Sequence, residues 1–283
     1  MKRKLIAQRD SLTLTLPKEW TSSLNLKSGD EIEVNELEKT LTINALKKEK
    51  EKEYTLDVSD MSDTYVRNEL NALYVLSATK IIINSNKPSK LLLCKKIISL
   101  FLIGFEITKE EENRVVAESL AIPSENNFEK FFLKLFNFLE FSFNALEEYA
   151  KNKKNDREEI RRDTKKVTQY SNICDRILLG NPVSGPNNIV VFEMVSQLKE
   201  INHLIFYLLD KKKRISTQEA NVLKRIFLEI RKGYFKKDPV KINDAQGELM
   251  NSSKILEENS YVFTISRALY NLSNSVIRLS RLK

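Results

Sequence analysis

Four basic side chains stand close together at the start of the chain: Lys2, Arg3, Lys4 and Arg9, with no acidic residue before Asp10. Cations grouped without acids attract phosphates, which supply most of the sequence-independent affinity for nucleic acid, and a guanidinium also reads a guanine edge. On an exposed strand edge the same residues would instead guard against aggregation. The absence of intervening acids favours DNA contact. A second set of cations, Arg267, Arg278, Arg281 and Lys283, follows Glu258 with no further acid. There the apolar positions Val262, Ile265, Leu269, Leu272, Val276 and Leu279 alternate in steps of three and four. Packing in a bundle accounts for that segment, and its basic face is an optional extra contact.

Catalytic chemistry finds little to work with. His203 is the only histidine, so any Ser-His-Asp or Cys-His arrangement has to use it, and no nucleophile motif accompanies it. The sequence contains no phosphate-cradling G-x-x-x-x-G-K-[ST] loop, no G-x-G-x-x-G and no zinc spacing of Cys and His. Cys94 and Cys174 lie far apart in apolar surroundings and read as reduced core residues. The chain therefore reads as a non-enzyme. With 283 residues, 41% hydrophobic and 30% charged, it has room for two or three globular domains. A net charge of +8 and a pI near 9.2 favour an acidic partner only moderately, because much of the Lys and Arg alternates with Glu and Asp. No apolar run is long enough to span a bilayer, and no signal-peptide core follows Met1-Lys2-Arg3-Lys4. A cytoplasmic location without membrane insertion is the expectation.

The elements that must position the first basic cluster follow at once. Leu12-Thr13-Leu14-Thr15-Leu16 alternates as a strand with one apolar face. Pro17 then starts a short helix, and Lys27-Ser28-Gly29 turns the chain into a second alternating strand, Glu31 to Val34. Some four strands and one short helix in about forty residues bury too little alone, so a partner is expected to supply the missing surface.

The charged run from Lys47 to Glu53 reads as a connector. After it, Tyr54 to Val58 alternates as a strand, and Ser62 or Asp63 caps a helix carrying Val66, Leu70, Leu73 and Leu76. Lys80 to Asn84 reads as a buried strand. Ser89 caps a helix through Leu102 that Gly104 ends, and Phe105 to Thr108 and Arg114 to Leu120 read as extended. From Asn127 the period is helical. Phe128, Phe132, Leu135, Leu139, Leu146 and Tyr149 mark one helix, and Ile160, Thr164, Val167, Ser171, Cys174 and Leu178 a second. The loop from Gly180 to Pro186 is a hard stop. A third helix carries Ile189, Phe192, Val195, Leu198, Ile201, Ile205 and Leu208, and a fourth Ala220, Leu223, Phe227 and Ile230; two more follow Asp238-Pro239.

The stretch "LTLTLPKEW…LNLKSGDEIEV" resembles the SpoVT/AbrB swapped-hairpin domain, in which two chains exchange hairpins to make one small barrel. Together with the α/β segment ending in "LIGFEI" and the all-helical second half, it resembles the archaeal PhoU-like regulators that carry an amino-terminal AbrB domain. The likeness is carried by residues 4–43 and 101–107, and more weakly by Cys174-Asp175-Arg176. It implies an α+β multidomain chain: a dimeric swapped-hairpin β-barrel over 1–46, a small central α/β module over 53–122, and an antiparallel PhoU-like helical bundle over 125–283.

In AbrB-like dimers the DNA-facing surface is built from the first strand and its following loop, which here carry Lys2, Arg3, Lys4 and Arg9. In PhoU-like bundles, carboxylates one helical turn apart bind metal ions. The corresponding positions fall on Ser171-x-x-x-Asp175 and on Leu198-x-x-x-Asn202 with His203 behind it, so only Asp175 keeps a carboxylate. Asp175, Asn202 and His203 are weak ligand candidates, and no metal or other cofactor is expected. The same-face pairs Glu159 with Asp163 and Asp244 with Glu248 are alternatives of a kind that solvated helices produce routinely. The resemblance implies a DNA-binding transcriptional regulator linked to phosphate uptake. The alternative is an adaptor that binds a transporter or sensor protein and uses the barrel only to dimerise; AbrB barrels also occur in antitoxin-like and chromatin-type proteins.

Overall fold

Alternating residues near the start of the chain pair into two antiparallel hairpins in the computed structural model, which describes residues 3–37, 40–45, 52–120, 127–153, 156–180, 185–257 and 259–282. Two compact units form, Met1–Lys50 and Glu51–Lys283. In the first, β1 (Ile6–Gln8) pairs with β2 (Ser11–Thr13), setting Ala7 opposite Leu12. Helix α1 (Lys18–Ser23) follows Pro17, and β3 (Ile32–Leu37) pairs with β4 (Thr40–Ala45), setting Val34 opposite Ile43. The strand expected through Leu16 stops at Thr13, because β1 offers no pairing residue beyond Ile6 and the segment leads into Pro17, which restricts Leu16 before it. The hairpins are separate two-stranded sheets, so among the described residues one chain closes no barrel.

The second unit opens with β5 (Glu53–Asp57), α2 (Asp63–Val75), β6 (Lys80–Asn84), α3 (Pro88–Phe101), β7 (Phe105–Glu111) and β8 (Arg114–Ser119). Its sheet has the order β5-β6-β8-β7, parallel between β5 and β6 and antiparallel elsewhere. A parallel pair needs a crossover, which α2 supplies. The Ser62 hydroxyl accepts from the Tyr65 N–H at the start of α2, whose buried face is Val66, Leu70, Leu73 and Tyr74. Leu76 is not on it, because the helix ends at Val75 and leaves Leu76 as an exposed C-cap. Nor does Ser89 cap α3: Pro88, whose fixed φ suits a first helical position, starts it behind Lys87. Gly104, at φ +84°, turns the chain into β7.

Seven helices follow among the described residues: α4 (Phe128–Asn152), α5 (Arg157–Gly180), α6 (Gly185–Asp210), α7 (Thr217–Phe235), α8 (Pro239–Asn251), α9 (Ser253–Glu257) and α10 (Ser260–Arg281). Three helices rather than two come after Asp238, since Asn251-Ser252-Ser253, all weak helix formers, breaks the first. The core joins the expected faces of α4, α5, α7 and α10. On α6 the expected phase holds from Val195 onward but fails before it. Ile189 is 73% exposed while Val190, Val191 and Met194 are buried, because the unbroken run Ile189-Val190-Val191-Phe192 gives no phase of its own. Helices α2 and α3 pack on the sheet and also meet α5. The chain is thus mixed α+β and mostly helical, and no helix among the described residues is long and apolar enough to cross a membrane. Lys2, the connector from Lys47 to Glu51, the loop centre 181–184 and Lys283 lie outside the described residues.

Candidate nucleic-acid interface

Arg9 and Asp10 form the turn between β1 and β2, and Arg9 sits at φ +52°. That left-handed conformation costs a residue with a Cβ roughly 1–2 kcal/mol, and glycine nothing. The hairpin is stitched from its side chains as well: Ser11 Oγ donates to the Gln8 carbonyl at 3.0 Å and Thr13 Oγ1 to the Ile6 carbonyl at 3.1 Å. A long cationic side chain is therefore carried at the tip of a short, laced hairpin. Arg3 and Lys4 are exposed on the segment leading into β1.

Apolar side chains of the same unit are left open to solvent. Leu5, Ile6 and Leu12 are each more than half exposed, and Leu14, Val34 and Leu41 are exposed too. On the β3–β4 hairpin Val34 and Leu41 share one face, by the alternation of strand side chains and their pairing register. Exposed leucines at this density in fifty residues mark a surface that another chain covers in most soluble proteins.

The weak ligand candidates fall in the helical part, where α4, α5 and α6 bring polar groups together. Ser142 Oγ donates to Asn202 Oδ1 at 2.7 Å, and Asn202 is fully buried with its Nδ2 unpartnered among the described residues. Lys199 Nζ donates to Asn172 Oδ1 at 3.4 Å, and Asn172 Nδ2 donates to Asn71 Oδ1 of α2 at 3.1 Å. Burial pushes the Asp175 carboxyl up to about 7 against the pull of Lys199, and its Oδ1 is buried without a hydrogen-bond partner among the described residues. Burial lowers the Lys199 pKa, with Asp175 opposing. Partial desolvation first and the Lys199 charge second lower that of His203, which is an exposed residue. One carboxylate, an amide already engaged by Ser142 and a nearby ammonium suit a divalent cation poorly, since such ions want several oxygens. The substitute acidic pairs are neutralised locally: Glu159 and Asp163 flank Arg162, while Glu248 bonds Arg225 and Asp244 faces Lys241.

Arg176, singled out only within the Cys174-Asp175-Arg176 match, proves central to packing. Its guanidinium donates to the Tyr74 carbonyl in the last turn of α2, to the Ala78 carbonyl just beyond that helix and to Ser119 Oγ of β8. It also lies 4.8 Å from the Tyr74 ring centroid and 5.3 Å from that of Phe105. The negative end of a helix suits a cation, and burial between two rings strengthens the attraction. Arg278, one of the carboxy-terminal cations, is spent on Glu193 of α6 in an interhelical pair. Comparison of the chain with protein-family models, curated proteins and solved structures finds no match.

Proposed function

We propose that this protein is a homodimeric DNA-binding regulator of transcription, linked to phosphate uptake, in which the first unit holds DNA and the helical bundle receives a signal or a partner. The observation that carries the reading is Arg9: a β-hairpin tip keeps an arginine where glycine is easier, and a strained residue is retained where its side chain has work to do. Arg3 and Lys4 extend the charge beside it, and the open leucines of the same hairpins supply a surface for a second chain. Exchange of hairpins between two chains covers Leu12 and Leu14 and doubles the cationic face. Exposed aromatic residues on the bundle, Phe141 and Tyr207 among them, favour the adaptor as the second reading.

Two outcomes are expected. The full chain sediments as a dimer at micromolar concentration, and Leu12→Asp with Leu14→Asp yields a folded monomer, because a carboxylate cannot be buried in the shared core without a large cost. A wild-type monomer contradicts the assembly. Arg9→Gly relieves the left-handed strain, so stability stays level or rises by up to about 1 kcal/mol, while affinity for a selected duplex falls by about 1–3 kcal/mol. A glycine variant that binds DNA as well as the parent removes Arg9 from the interface.

A further inference from the structure

We propose that the end of the helical bundle where α7 turns into α8 is a binding site for a small organic cation with an apolar body. A cleft of about 600 Å³ opens there, within the range that encloses most of a drug-sized ligand. Its floor is aliphatic and already buried, formed by Leu178, Val191 and Ile242 from three different helices. Phe128, Tyr234 and Phe235 supply aromatic wall. The Tyr234 ring meets Phe235 edge-on with centroids 4.9 Å apart and Phe132 with centroids 5.2 Å apart, so the wall is fixed by packing. Gly233 sets its spacing from α8: a Cβ there would lie 2.4 Å from Ile242 Cγ1.

The charge preference comes from Glu129. Glu129 lines the cleft together with Tyr234, whose hydroxyl pKa is raised by burial first and by the Glu129 charge second. A carboxylate set beside aromatic rings attracts a cation twice, through its charge and through the negative faces of the rings. Lys237 reaches the same rim from the α7–α8 turn and opposes this. Its side chain is exposed and its ammonium rides on a long flexible stem, whereas the shorter Glu129 sits near enough to Tyr234 to act on its hydroxyl. The enclosed aliphatic floor selects a ligand with apolar bulk over a metal ion or a simple ammonium ion. The inference rests on this cleft and not on the DNA-binding reading.

The test titrates the full chain with rhodamine 6G, a lipophilic cation, and with 1-anilinonaphthalene-8-sulfonate, an apolar anion, following fluorescence anisotropy. Saturable binding of the cation at one site per chain is expected, tighter than that of the anion. Glu129→Gln should weaken it about tenfold, as loss of a charge-assisted contact does, and Lys237→Ala should tighten it a few-fold. Both side chains are exposed, so neither variant threatens the fold. Val191→Phe, checked by its thermal melt, should fill the cleft and abolish binding. No saturable binding of the cation, tighter binding of the anion, or an unchanged affinity in Glu129→Gln overturns the proposal.

Discussion

Arg176→Ala should lower the unfolding free energy of the second unit by about 3–5 kcal/mol, the range expected when one member of a buried charge-assisted network is removed. The substitution leaves the Ala78 carbonyl without its Arg176 donor and the Tyr74 carbonyl with only backbone N–H donors, opens a cavity between Tyr74 and Phe105, and removes two cation–π contacts. Arg176→Lys should recover little, because one ammonium cannot span two carbonyls and stack as a plane at the same time. Urea unfolding followed by circular dichroism measures both. A loss below about 1 kcal/mol for the alanine variant would mean that water replaces the guanidinium, and that α5 is not tied to α2 by this residue.

Asp175→Asn should stabilise the protein at pH 8 by about 2–4 kcal/mol and at pH 4.5 by no more than about 1 kcal/mol, following the worth of about 1.4 kcal/mol per pKa unit. The sign follows from the folded carboxyl being raised from 3.8 to about 7. A raised pKa means that folding favours the protonated form. Its contribution is complete below about pH 4 and is lost as pH climbs through about 7, where the fold must hold an ionised carboxylate with one unpartnered buried oxygen. Asparagine keeps the shape and never ionises. Urea midpoints for the two proteins at pH 4.5, 6 and 8 check this, and a difference that does not change with pH contradicts it.

Regular amphipathic period made much of the fold legible. The buried faces of α4, α7 and α10 were readable because each repeats in steps of three and four, and the α2 cap because Ser62 precedes an acidic first turn. Legibility failed where local pattern leaves a choice. The apolar run at Ile189 fits more than one helical phase, and Pro88 displaced the neighbouring serine as the start of α3. Exposure of Leu12 was not legible either, since its alternation with threonine specifies a face but not what covers it. At the site, Arg9 and its neighbours stood out by the lack of acids around them. Nothing local distinguished Arg176 from other arginines of α5: its first carbonyl partner, Tyr74, lies 102 residues away in sequence. The same is true of the cleft at Tyr234, whose walls come from separate helices. Nor did the spacing of Asp175 and His203 point to Lys199, whose charge bears on both of them.

The central claim is that a cationic face on the first unit, doubled in a dimer, holds DNA. The direct measurement is the salt dependence of duplex binding by the full chain and by the Arg3→Ala, Lys4→Ala, Arg9→Ala variant, after confirming that both have the same oligomeric state. The wild type should bind a selected fragment with a steep negative slope of log affinity against log salt. The variant should lose both affinity and slope, by about 0.9 in slope for each phosphate contact removed. Equal affinities and equal slopes for the two proteins would contradict the account and leave the adaptor reading in its place.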